Sequence, residues 1–118
     1  MSKKIKIAMD YCADPIWVYS GGIWLNEDLS DYEDYFSPEL LSLLTKYRDL
    51  WEALSSGDKY LDRETPSSYQ NIFDSTGEYI TSLQKTCANL CKKEQPNFTV
   101  IFPKYEKGKY KEIEIKIR

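Results

Sequence analysis

Residues Ser67 to Pro96 read SSYQNIFDSTGEYITSLQKTCANLCKKEQP, and the period of their apolar positions decides what the rest of the chain must supply. Tyr69, Ile72, Phe73, Thr76, Tyr79, Ile80, Leu83, Cys87, Leu90 and Cys91 step by threes and fours. That spacing predicts one long amphipathic helix with a single apolar stripe. Ser67 or Ser68 can cap its start by accepting from free backbone amides. Lys92 and Lys93 suit the negative end of the helix dipole, and Pro96 stops the helix. Gly77 inside it costs about 1 kcal/mol relative to Ala, which suggests close packing against another helix. A stripe of this length has to be buried against a sheet or a second helix.

The segment before it supplies that second helix. Ser37-Pro38-Glu39 is a helix start: a capping hydroxyl, proline at the first helical position, and a carboxylate at the positive end of the dipole. Leu40, Leu43, Leu44, Tyr47, Leu50, Trp51 and Leu54 form its stripe, and Ser55-Ser56-Gly57 is its stop. The polar connection Asp58 to Pro66 carries Tyr60 and Leu61, expected to pin it to the core.

The flanks alternate with period two. Ile5, Ile7 and Met9 oppose Lys4 and Lys6, predicting a half-buried strand from Lys3 to Met9. Phe98, Val100 and Phe102 share one side of Asn97 to Pro103, and Ile113, Ile115 and Ile117 share one side of Tyr110 to Arg118. With a turn at Gly108, these two strands predict an antiparallel hairpin. Lys4 and Lys6 complement Glu112 and Glu114, which argues for the first strand lying beside the last. Two aromatic runs, Ile16 to Tyr19 and Ile23 to Leu25, surround Ser20-Gly21-Gly22. They read as a short hairpin or as an irregular loop whose tryptophans plug the core, with some of the aromatics free to form a contact patch. The expected fold is α+β: a two-layer sandwich, two helices packed on one face of a small, mainly antiparallel sheet of three or more strands, with the other face polar and wet. Residues 1–118 form one such domain; no repeat, low-complexity segment or internal boundary breaks them.

Composition narrows the function. Hydrophobic content of 42% with 30% charged residues belongs to a folded rather than a disordered chain. The net charge of -3 argues against nucleic acid or anionic membrane as the main partner and suits a basic one. No apolar run approaches the roughly 20 residues that span a bilayer, and Met1 to Ile5 lacks the apolar region of a signal peptide. A cytoplasmic location is expected, and three cysteines, two of them on one helix face, fit reduced core thiols there. There is no histidine. That removes Ser-His and Cys-His nucleophile pairs and the commonest general base, so an enzyme is not expected. Cys87 and Cys91, four apart, lack further ligands to complete a tetrahedral metal site, so neither metal nor cofactor is expected.

The stretch Glu27 to Glu39 contains Glu27, Asp28, Asp31, Glu33, Asp34 and Glu39 and no Lys or Arg, with Tyr32, Tyr35 and Phe36 interleaved. One reading is a solvated loop ending in a helix cap. The other is a surface for a basic protein, its carboxylates steering and pairing with Lys or Arg and its aromatics anchoring. The spacing is not that of an EF-hand calcium loop. On the second reading the contact residues are Trp24, Glu27, Asp28, Asp31, Tyr32, Glu33, Asp34 and Tyr35. An alternative is a nucleic-acid or regulatory binding module using Lys104, Lys107, Lys109, Lys111 and Lys116 with Tyr105 and Tyr110, although Glu106, Glu112 and Glu114 interrupt that run.

Asp10-Tyr11-Cys12 with Pro15-Ile16-Trp17 after the first strand, the acidic stretch, Phe36-Ser37-Pro38-Glu39-Leu40 opening a helix with Leu44, Tyr47 and Trp51, and the Phe98-Thr99-Val100-Ile101 strand after a second long helix together resemble small bacterial immunity proteins of contact-dependent growth inhibition and polymorphic toxin systems. The likeness covers most of residues 5 to 102. It implies a non-enzymatic inhibitor that binds a cognate toxin domain and covers its active site; with the acidic stretch, a basic nuclease is the expected toxin. Because such families diverge at the binding face, the resemblance assigns no contact residue, and it leaves the oligomeric state open.

Overall fold

Alternation and turn chemistry build a five-stranded sheet, and the two helical stripes cover one face of it. The computed structural model describes residues 3–58 and 67–116, the side chains of 56–58 and 67–75 excepted. The strands are β1 (Lys4–Ile7), β2 (Ile16–Ser20), β3 (Ile23–Glu27), β4 (Thr99–Glu106) and β5 (Lys109–Glu114), and the helices are α1 (Pro38–Asp58) and α2 (Ser67–Glu94). A short 3-10 turn, Leu29–Tyr32, lies between β3 and α1. The strand order is β3-β2-β1-β4-β5. Among the described residues only β1 and β4 run parallel; the other three pairings are antiparallel. The fold is the α+β sandwich expected from the sequence.

Both hairpins turn in two residues with positive φ at each: Gly21 (59°) with Gly22 (87°), and Lys107 (53°) with Gly108 (75°). Mirror-image turns of this kind match the twist of the flanking strands. Ile16 to Leu25 is therefore a hairpin, extended to Glu27, and not an irregular plug. Pro103 lies inside β4, opposite Glu112 of β5. The β1–β4 pairing ends at Lys6 and Ile101, so the side of β4 turned towards β1 loses no ladder bond to the proline.

Ile5, Ile7, Ile16, Val100, Phe102 and Ile115 point inward onto Leu40, Leu44 and Tyr47 of α1 and Ile80, Leu83, Cys87, Ala88 and Cys91 of α2. Cys87 and Cys91 are buried free thiols, whereas Cys12 is exposed. Ser37 caps α1 as predicted: its Oγ accepts from the Leu40 N–H at 3.2 Å. The Ser37 N–H and hydroxyl both donate to the Glu94 carboxylate at 2.7 Å, which ties the start of α1 to the end of α2. The Lys92 ammonium donates to the carbonyls of Pro96 and Phe98 and fixes the passage from α2 into β4.

Five expectations change. The first strand ends at Ile7 rather than Met9. It does not lie beside the last: β4 intervenes, yet the Lys6 ammonium reaches across it to Glu112 at 3.7 Å, so the charge match is real although the adjacency is not. The open face of the sheet is aromatic as well as polar, because Trp17, Tyr19, Trp24, Tyr105 and Tyr110 share the parity of Lys4 and Lys6. Gly77 is not forced by packing, since a Cβ there would meet Leu54 Cδ2 at an ordinary 3.8 Å. Tyr79, placed in the helix stripe, is 49% exposed with the Lys46 ammonium 5.8 Å from its ring. The expectations for Tyr60, Leu61, the Ser67 or Ser68 cap, the side chains of Tyr69, Ile72 and Phe73, and Ile117 lie outside the described residues.

Candidate functional site

The acidic stretch is held from below by its apolar residues and by one buried-side carboxylate. Leu29, Tyr32 and Phe36 enter the core, where Tyr32 stacks on Phe36 at 5.6 Å and Phe36 meets Phe98 edge-on at 6.1 Å. Asp28 precedes the 3-10 turn but makes no side-chain cap. Asp14 does that work from another loop: its Oδ2 accepts from the Leu29 N–H at 2.9 Å. The same carboxylate takes the Arg48 guanidinium of α1 at 3.1 Å. Asn26 clamps the Asp14 backbone from both sides, donating to its carbonyl at 2.7 Å and accepting from its N–H at 3.0 Å. Loop, strand end, 3-10 turn and helix are thus one hydrogen-bonded unit.

On that base the carboxylates of Asp28, Asp31, Glu33 and Asp34 point to solvent. None of the four forms an ion pair among the described residues, whereas Asp14, Asp49, Glu106 and Glu112 all do. Beside them a groove of about 350 Å³ runs between the turn and α1, lined by Leu29, Ser30, Glu33, Leu41, Ser42 and Thr45. Leu29 and Leu41 supply apolar lining beside the Glu33 carboxylate, a combination that accepts an aliphatic stem ending in a cation.

Not every predicted contact residue lies on this surface. Tyr32 is 1% exposed and is a core residue, which removes it from any contact. Its hydroxyl donates to Glu27, and burial followed by that carboxylate pushes the phenol well above its ordinary value. Glu27 is accordingly half-buried and turned inward. Tyr35 is 37% exposed, packed against Tyr32 and Phe98, with its carbonyl held by Gln95 at 2.6 Å. The Lys3 ammonium lies 5.4 Å from the Tyr35 ring. Trp24 is elsewhere, on the open face of the sheet, edge-on to Tyr19 at 5.3 Å with the Lys6 ammonium 4.4 Å from its ring. The structure brings together Asp28, Asp31, Glu33, Asp34 and Tyr35, and separates Trp24, Glu27 and Tyr32 from them.

The sequence reading missed Leu41, Ser42 and Thr45 as groove residues, and Asp14 as the residue that holds the turn. It also missed a second groove of about 330 Å³ on the open face, where Lys6, Trp17, Trp24, Pro103, Tyr105 and Tyr110 meet. Its signal was present in Ile16 to Tyr19, where alternation sends Ile16 and Val18 one way and Trp17 and Tyr19 the other. Of the hairpin lysines, Lys111 is paired with Glu106 at 3.3 Å. Among the described residues no group of three or more His, Cys, Asp or Glu is placed to hold a metal ion, and no helix is long and apolar enough to cross a membrane. No family model, curated protein or solved structure matches this chain.

Proposed function

We propose that this chain is an immunity-type inhibitor: a cytoplasmic protein that binds a cognate toxin domain through the acidic turn and covers its active site. The observation that carries this reading is the set of four solvent-facing carboxylates, unpaired among the described residues, on a turn anchored by Asp14, Leu29 and Phe36. A surface that already holds its bound shape loses little entropy on docking. Clustered like charge also raises the encounter rate with a basic partner. A nuclease fits best, because its substrate groove must present cations to phosphates. Asp28, Asp31 and Asp34 would meet those cations, and the groove beside Glu33 would take one Lys or Arg side chain along its stem.

The test is binding to the toxin domain encoded in the neighbouring gene, measured by calorimetry across a salt series, together with the toxin's residual activity. Replacing Asp31, Glu33 and Asp34 by Lys is expected to weaken binding by about a hundredfold or more and to flatten its salt dependence. Protection against the toxin should be lost in parallel. An affinity and salt slope that do not change on this reversal would overturn the acidic-turn mechanism.

A further inference from the structure

The two edges of the sheet are built differently. The β5 edge carries Lys109, Lys111, Glu112 and Glu114, the charge that natural edge strands use to resist pairing. The β3 edge, Ile23-Trp24-Leu25-Asn26-Glu27, has no lysine, proline or bulge, and pairs with β2 without interruption along its length. Its single charge, Glu27, is turned inward to Tyr32, and the Asn26 amide is occupied by Asp14. Ile23 is 58% and Leu25 46% exposed on the helix side of the sheet, where α2 packs on β1 and β4 rather than on β3. Among the described residues nothing pairs with the outer edge of β3.

The register says which backbone groups are free there. A two-residue hairpin makes Ser20–Ile23 a hydrogen-bonded pair, so Ile23, Leu25 and Glu27 point their N–H and C=O groups at β2. Trp24 and Asn26 point theirs outward. A two-fold axis through Leu25 places Trp24 opposite Asn26 of a second copy, and the reverse, so both outward residues exchange their bonds. Leu25 then faces its own copy in a non-hydrogen-bonded pair, the close kind, with Cα atoms about 4.5 Å apart. An edge without free charge matches another such edge and would bury unpaired charge against a strand like β5. The acidic turns leave the two copies at opposite ends of the paired strands and stay clear of each other.

We infer that the β3 edge is a self-association surface: two copies join antiparallel β3 strands about Leu25 into one continuous sheet. The contact is isologous and closed, so assembly stops at the dimer. It leaves Asp28 to Tyr35 free and does not depend on the proposed inhibitory activity. A small interface of this kind gives a dissociation constant in the range of about micromolar.

Sedimentation velocity of the full chain from about 1 µM to 1 mM is expected to show conversion from a 13.9 kDa species to one of twice that mass. Leu25→Lys, at a site exposed enough to keep the fold, should raise the dissociation constant about a hundredfold by setting two ammonium groups face to face. On the unaltered chain, amide exchange at Trp24 and Asn26 should slow as concentration rises, a readout that holds whatever the variant does. A 13.9 kDa species throughout the range overturns the inference. So does a dimer indifferent to Leu25→Lys whose Trp24 and Asn26 amides exchange alike at both ends of the series. Protection of those amides only when a toxin strand is added, on a chain that stays monomeric alone, overturns it as well.

Discussion

Tyr32 and Tyr35 stand three apart in the same acidic run and have opposite fates, one 1% and the other 37% exposed. The difference arises from the 3-10 turn, which directs Tyr32 onto Phe36 while Tyr35 takes the rim against Phe98. Composition cannot see that rotation, because a tyrosine suits an anchor and a core equally well. Gly77 is the converse case, a residue whose reason looked structural and is not. Among the described residues an alanine methyl there meets only Leu54, at ordinary contact distance. Gly77→Ala is therefore expected to stabilise the protein by about 0.5–1 kcal/mol, through helix propensity and a less disordered unfolded chain. A higher urea midpoint at unchanged m-value would show it; a lower midpoint would mean the helix pair cannot accept one methyl.

At the scale of elements, local signals were sufficient for the start of α1 and for the turn at Gly108, and left Ser20-Gly21-Gly22 open between a hairpin turn and a loop. Ser37 was legible as a cap, but its second role was not, since Glu94 lies at the far end of the other helix. Ser37→Ala loses the cap and the hydroxyl's bond to that carboxylate while keeping the backbone N–H bond, and should cost about 1–2 kcal/mol. Glu94→Ala should cost less, because the cap survives. In a double-mutant cycle by urea denaturation the pair should couple by about 0.5–1 kcal/mol, discounted for the exposure of Glu94. Additive single effects would mean that the contact does not hold the helix ends together. The acidic turn follows the same logic: its carboxylates were visible in the sequence, while its anchor, Asp14, comes from fifteen residues upstream of Leu29.

For the whole molecule, the core holds several groups that must stay protonated to remain where they are. Burial pushes the Cys87 thiol up to about 12 and raises Cys91 well above its ordinary value. Burial likewise raises the phenols of Tyr32 and Tyr47. All four groups ionise more readily unfolded than folded. The unfolded state therefore binds fewer protons at alkaline pH, and stability falls as pH rises. The contribution is complete below the ordinary thiol value of 9.0 and is lost progressively from there to about 12. Each group adds a slope of up to about 1.4 kcal/mol per pH unit across its own window. Urea midpoints should be level from about pH 7 to 8.5 and fall steeply by about pH 10.5. Cys87→Ala should make that fall shallower even though it weakens the core at neutral pH. A stability profile without slope through pH 10.5 would mean that these groups are solvated in the folded state.

The sequence by itself determined the two helices, the first and the last two strands and the turn at Gly108, along with the position of the acidic stretch, because periodicity, caps and turn residues act within a few residues of one another; that Ile16 to Leu25 is a hairpin it left open. Only the tertiary structure decided the rest: β4 lying between β1 and β5, Tyr32 in the core, Trp24 on a different face from Asp31 and Glu33, and the aromatic side of the open sheet. Each of these depends on contacts between residues far apart in the chain, such as Lys6 with Glu112 or Phe36 with Phe98. Neither partner's local pattern carries information about the other, so the choice among registers and faces falls to the packing of the whole core.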